Sequence, residues 1–266
     1  MKLSKSVIFL LSALALAFIG LVLFKDKLIV NKVGKVSVTQ MFQGLTVPLV
    51  DAIVDGDYEA ADALLRQGAD INQIGMQEEI TPLIWVGIVT QRDLKKMEYM
   101  LKNGASVNIR NKRGESAMSL AAGGDSKALL VLFLKYGGDA TLEGPPLTMG
   151  DSFRRNLLMM AIGAFRDDYF ELLLSHGADV NWNIDGTKGL STVPDKCITV
   201  GRYDWLLYFL EKGYKGDLHQ LGIEVKNRRV SAKMEPYKQK AIQYLKDKGV
   251  DMDAIPVYSE LNKTRN

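Results

Sequence analysis

Few side chains in this sequence have the types and spacing that chemistry needs. His176 and His219 are its two histidines, and Cys197 is its one cysteine. One thiol excludes an internal disulfide framework and any multi-cysteine zinc site. With the imidazoles so far apart in the chain, no nucleophile–base pair is readable. Asp167-Asp168 and Asp251 with Asp253 are paired carboxylates of the kind that serve as general acids and bases. The first pair falls at the turn between the helices of one segment, however, and both pairs read as solvated or capping groups. There is no His-Glu-x-x-His, Gly-x-Ser-x-Gly, phosphate-loop or dinucleotide fingerprint, and Gly123-Gly124-Asp125 only joins two helices. The expectation is therefore a non-enzyme with no catalytic residues, no metal, no cofactor and no small-molecule substrate.

The same residues place themselves in a recurring frame. His176 stands just before a glycine in Leu173–Asn181 (LLSHGADVN), and that phrase recurs. It reads LLRQGADIN at 64–72, MLKNGASVN at 100–108 and FLKYGGDA at 133–140, with worn copies FLEKGYKGD at 209–217 and YLKDKGVDMD at 244–253. The phrase glycines Gly68, Gly104, Gly137, Gly177, Gly213 and Gly249 are separated by 36, 33, 40, 36 and 36 residues. A period of that size marks a repeat architecture. Helix-start signals lie upstream of most copies: VPL at 47–49, TPL at 81–83, GESAM at 114–118, NLLMMA at 156–161 and TVPD at 192–195. Each copy reads as helix, short turn, helix and glycine stop, because glycine takes a positive φ without a Cβ penalty. Copy 2 carries about two extra residues near Thr90–Asp93. An insertion, Leu142 to Phe153, precedes copy 4. The last copy, Leu218–Arg229 then Pro236–Lys248, is lysine-rich and reads as a polar terminal cap.

Composition agrees with a folded array: 266 residues, 47% hydrophobic and 24% charged, with a formal net charge of +3. That balance excludes a wholly disordered chain and gives no signal for nucleic acid. The amino terminus differs. Lys2 and Lys5 precede an uncharged run from Ser6 to Phe24, closed by Lys25, Asp26 and Lys27. At ~1.5 Å per residue the run is about 28 Å long, near the thickness of a bilayer core. It reads as an uncleaved anchor or as a cleaved secretory signal, Ala15-Leu16-Ala17 being the small-x-small site. Continuation of the run to Phe24 favours the anchor. The organisation expected is 1–27 anchor or signal, 28–45 tether, 46–253 repeat array and 254–266 tail. The location expected is a single-pass inner-membrane protein with its array in the periplasm, or a soluble periplasmic protein after cleavage.

Thr81-Pro82-Leu83, Gly68-Ala69-Asp70-Ile71-Asn72 and Gly177-Ala178-Asp179-Val180-Asn181 resemble the ankyrin repeat. The resemblance spans roughly 46–252 and implies an all-α solenoid of about six helix-turn-helix copies that binds proteins. Within it, the anchor, the PLVDAIVDGD opening, the TPLIW copy and the ending RYDWLLYFLEKGY to YKQKAIQYLKDKGV are similar to the membrane-anchored bacterial ankyrin immunity proteins of type VI secretion phospholipase effectors. That resemblance implies a cognate toxin as partner, bound and occluded, and attachment to the inner membrane through residues 6–24. Support of an antioxidant enzyme such as catalase, or a cytoplasm-facing scaffold, are the other readings.

Partner contacts are sought in the loops between copies, where large residues lack an evident packing role. The candidates are Trp182, Asn183 and Ile184 after copy 4; Met149, Phe153 and Arg154 in the insertion; Arg110, Lys112 and Arg113 after copy 2; and Met76 and Glu78 after copy 1. Trp85, Trp205 and Cys197 fall in apolar helices and read as packed.

Overall fold

Four of the helix pairs start from a side chain that satisfies the first free amides of the leading helix. Thr81 Oγ1 accepts from the Ile84 amide, Ser116 Oγ from Ser119, Asn156 Oδ1 from Met159 and Thr192 Oγ1 from Asp195, at 2.9–3.4 Å. Pro82 and Pro194 sit in first turns, where a missing N–H loses nothing. Asp57, Asp93 and Ser126 repeat the device at the start of the trailing helix. The leading helix Pro82–Val89 is apolar throughout, whereas the trailing helices Tyr58–Arg66 and Leu94–Lys102 are two-faced. A computed structural model describes residues 37–76, 80–144, 155–185 and 191–257 of the chain.

The chain divides into two units, residues to Ser106 and residues from Val107. The first holds α1 (Val38–Met41), α2 (Thr46–Asp55), α3 (Tyr58–Arg66), α4 (Pro82–Val89) and α5 (Leu94–Lys102). Leu49, Val50, Ile53, Leu83, Val86 and Met100 form its core. α1 lies in the segment expected as tether. It buries Met41 and Phe42, whose ring meets Trp85 edge-on at 6.2 Å. A first repeat has no predecessor, so its apolar side needs such a cover.

The second unit holds α6 (Ala117–Ala122), α7 (Lys127–Lys135), β1 (Glu143–Gly144), β2 (Arg155–Asn156), α8 (Leu157–Gly163), a 3₁₀ turn (Asp167–Tyr169) running into α9 (Phe170–Ser175), α10 (Val193–Thr199), α11 (Tyr203–Glu211), α12 (Leu218–Asn227) and α13 (Glu235–Asp247). Phe133, Leu158, Tyr169, Tyr203 and Phe209 are among its fully buried side chains. β1 and β2 pair antiparallel, Glu143 with Asn156 and Gly144 with Arg155, a small departure from an all-helical fold. They bracket the insertion, which lies mostly outside the described residues.

The far end is closed by the segment 250–257. Met252 and Ile255 are buried against α12 at Gly222, where a Cβ would meet both side chains at 2.9–3.0 Å. Lys226 Nζ donates to the Met252 and Ile255 carbonyls at 2.8 and 2.6 Å, and Lys238 Nζ to that of Arg228 at 2.6 Å. Part of the lysine-rich character of the last copy is thus internal stitching.

The expectations of one N-terminal membrane-spanning helix and of a single-pass inner-membrane location are corrected. Among the described residues no helix is long and apolar enough to cross a membrane. The longest, α13, has 13 residues, about 20 Å against a bilayer core of about 30 Å, and carries lysines throughout. The run 6–24 on which those expectations stood lies outside the described residues.

Candidate protein-binding surface

The loops that follow the trailing helices are built by the recurring phrase, one residue at a time. Gly177 has φ +95°, and the other phrase glycines share that left-handed backbone. Ala69, Ala105 and Ala178 are buried, as are Ile71, Val107 and Val180. The phrase aspartate folds back on its own loop: Asp70 Oδ1 accepts from the Asn72 amide, Asp139 Oδ1 from Thr141 and Asp179 Oδ1 from Asn181, at 2.7–2.8 Å. The asparagine then reaches into the next copy. Asn72 Nδ2 donates to the Gly104 carbonyl at 2.9 Å, and its Oδ1 accepts from the Ser106 amide at 2.8 Å. Asn108 makes the same pair with Gly137 and Asp139, at 2.8 and 3.0 Å. Asn181 makes it with Gly213 and Lys215, at 3.1 and 2.6 Å. One amide side chain matches the donor and acceptor that the next loop presents, so each of these three loops fixes its successor. Thr141 holds the equivalent position after copy 3, where the insertion follows. Sequence reading recognised the phrase but missed this bridge; its signal was the return of asparagine four residues after the glycine at 72, 108 and 181.

The candidate contact residues separate by exposure. Met76 is 50% and Ile184 41% exposed, and Ile74, not singled out from the sequence, is 53% exposed. Trp182 and Asn183 are buried; the Trp182 indole N–H donates to Glu143 Oε1 at 3.4 Å and Asn183 Nδ2 to the Ser191 carbonyl at 3.1 Å. Arg110 Nε donates to the Gly114 carbonyl at 3.4 Å, Arg113 pairs with Glu115 at 3.1 Å and Lys112 is exposed. Glu78, Met149, Phe153 and Arg154 lie outside the described residues. Trp85, Trp205 and Cys197 are packed as expected, at 4%, 5% and 0% exposure. Burial pushes the Cys197 thiol well above its ordinary pKa.

A cleft of about 240 Å³ between α10 and α12 is lined by Ser191, Asp195, Ile198, Thr199, Gln220, Glu224 and Arg228. Asp195 is committed to the Thr192 amide and hydroxyl, both at 2.8 Å, and Glu224 pairs with Arg228 at 3.3 Å. Nearby, the Lys196 side chain lies along Gly163 of α8. Burial, then the charge of Arg155, hold its ammonium below the usual lysine pKa. Among the described residues no group of three or more His, Cys, Asp or Glu side chains is placed to hold a metal ion.

The turns between leading and trailing helices in copies 4 and 5 carry a second arrangement. Arg166 grips Asp168 through two hydrogen bonds of 2.9 Å and stacks 4.1 Å above the Tyr169 ring. Arg202 grips Asp204 at 2.8 and 2.5 Å and stacks 3.5 Å above Trp205. The Arg166 hydrogen bond holds the Asp168 carboxyl below the usual range. Burial raises that of Asp204, but the hydrogen bond and charge of Arg202 outweigh it and the net shift is downward. Just before these arginines the chain turns through a left-handed residue. It is Gly201 in copy 5, but Phe165 in copy 4, at φ +57°. A side chain there costs about 1 kcal/mol, and this one is 57% exposed.

The scan of known protein families finds no matching family model. Among curated proteins, B-cell lymphoma 3 protein homolog of Mus musculus, an ankyrin-repeat protein, is 32% identical over 102 residues. The match covers 38% of this chain, and the chain spans about a fifth of that relative's length, 22%. Together with the helix pairs, the glycine stops and the asparagine bridges, that similarity supports ankyrin-repeat character and a protein-binding role for this chain.

Proposed function

We propose that this chain is a non-catalytic binding array that engages a protein partner through the loops between its copies. The observation that supports this reading is the asparagine bridge. It holds successive loops rigid while leaving Met76 and Ile184 exposed at them. Rigid presentation lowers the ordering entropy that binding must overcome. Arg110, Lys112 and Arg113 supply charge at a further loop, suited to an acidic rim on the partner.

The reading is tested by tagging the carboxy terminus, lysing the native cells gently and quantifying the protein that co-purifies. Ile184→Asp and Met76→Asp are expected to weaken capture at least tenfold while leaving the circular dichroism unchanged. Undiminished capture by both variants contradicts recognition by the loops.

The finer reading is that the partner is an antibacterial phospholipase-type toxin that the array occludes. It rests on the similarity of PLVDAIVDGD, TPLIW and RYDWLLYFLEKGY to the type VI immunity proteins. Assay of phospholipid hydrolysis by the captured partner decides it. Inhibition saturating at one array per partner supports occlusion, and unaffected hydrolysis removes it.

A further inference from the structure

The turn of copy 4 carries a strained, exposed phenyl ring two residues before an under-used carboxylate. Phe165 occupies a left-handed position that copy 5 gives to Gly201. Its ring lies 5.9 Å from that of Trp205, which is covered on another side by Arg202 at 3.5 Å. Arg202 is committed to Asp204 and reaches Asp167 only at 3.9 Å, leaving the Asp167 side chain 59% exposed. A connected set of groups therefore runs from Asp167 through Arg202 and Trp205 to Phe165.

This edge already satisfies one recognition pattern twice. A guanidinium lies on an aromatic face and is gripped by a carboxylate in Arg166–Tyr169–Asp168 and again in Arg202–Trp205–Asp204. Phe165 and Asp167 provide a third ring and a third carboxylate, and among the described residues no cation stacks on Phe165. A planar guanidinium suits both groups, because it stacks on rings and donates to carboxylates in one plane. Strain maintained at an exposed aromatic points to use of that side chain.

We propose that Phe165 and Asp167 form a docking point for an arginine side chain presented by a protein partner. The proposal rests on the protein-binding reading and adds a site apart from the loops between copies. Arginine is favoured over lysine because an ammonium cannot stack as a plane.

The test uses the isotopically labelled full chain and two heptapeptides, each with a central residue between leucines: arginine in one, uncharged citrulline in the other. The arginine peptide is expected to shift the Trp205 indole and the Phe165–Asp168 amide signals saturably, with the citrulline peptide at least tenfold weaker. Phe165→Gly and Asp167→Asn are each expected to weaken binding about tenfold. Phe165→Gly is also expected to raise the thermal midpoint, since glycine accepts the turn without strain. A purely structural Phe165 gives the reverse: a lower midpoint and unchanged peptide binding. Equal shifts from both peptides, no shifts, or full binding by Phe165→Gly overturn the site, whatever the loops capture. Peptide shifts that persist while Ile184→Asp and Met76→Asp leave capture intact overturn the loop reading instead.

Discussion

Removing the Asn181 side chain deletes a donor to Gly213 and an acceptor for Lys215 at once. Asn181→Ala is expected to lower unfolding free energy by about 1–2 kcal/mol in urea titration. Asn181→Asp retains the acceptor but sets a carboxylate against the Gly213 carbonyl, and is expected to recover little of the loss. Cys197 gives a second residue-scale readout. Its thiol is fully buried and its pKa raised, so labelling by a thiol reagent is expected to follow unfolding of the second unit rather than pH. Fast labelling under native conditions contradicts that packing. The glycines, the prolines and the packing of Trp85 and Trp205 were legible because each has one strong local reason for its place; the packing of Trp182, read as a contact residue, was not. The asparagine bridge was not, since its partners belong to the next copy, about 32 residues on. Phe165 escaped for a related reason: its meaning appears only when it is set against Gly201.

At the scale of the element, the helix pairs followed from caps and periodicity, whereas the covers at the two ends did not. α1 carries no phrase and the segment 250–257 only the end of a worn one, yet they bury Met41, Phe42, Met252 and Ile255. An array needs them because its end copies otherwise expose an apolar face. Ile255→Ala is expected to destabilise the second unit by about 2–4 kcal/mol, measured by thermal or urea unfolding; a loss below about 0.5 kcal/mol shows the segment to be unimportant. The arginine clips of copies 4 and 5 make a pH prediction. Asp168 and Asp204 have folded pKa values below the unfolded carboxylate value of about 4. Their contribution is therefore fully present above that value and is lost as pH falls through the folded values. Asp168→Asn and Asp204→Asn are expected to flatten the acid limb of stability against pH and to leave the neutral-to-alkaline limb unchanged. An acid limb identical to wild type in both variants contradicts the clips.

For the whole molecule, a repeat architecture was readable from the spacing of six glycines, and the helix pairs agree with it. The membrane-spanning helix read from the amino-terminal run finds no counterpart among the described helices. Identity of the partner was least legible, because a repeat fold sets how loops are held while recognition depends on a few exposed side chains. The central claim, that this array works by binding a protein at its inter-copy loops, is tested most directly by photo-crosslinking in the native cells. A crosslinking residue is placed at position 184, at position 76 and, as control, at position 131, an exposed site on the trailing helix α7. The account predicts one shared protein adduct from 184 and 76 and none from 131. Adducts absent at both loops, or equally abundant at position 131, contradict it.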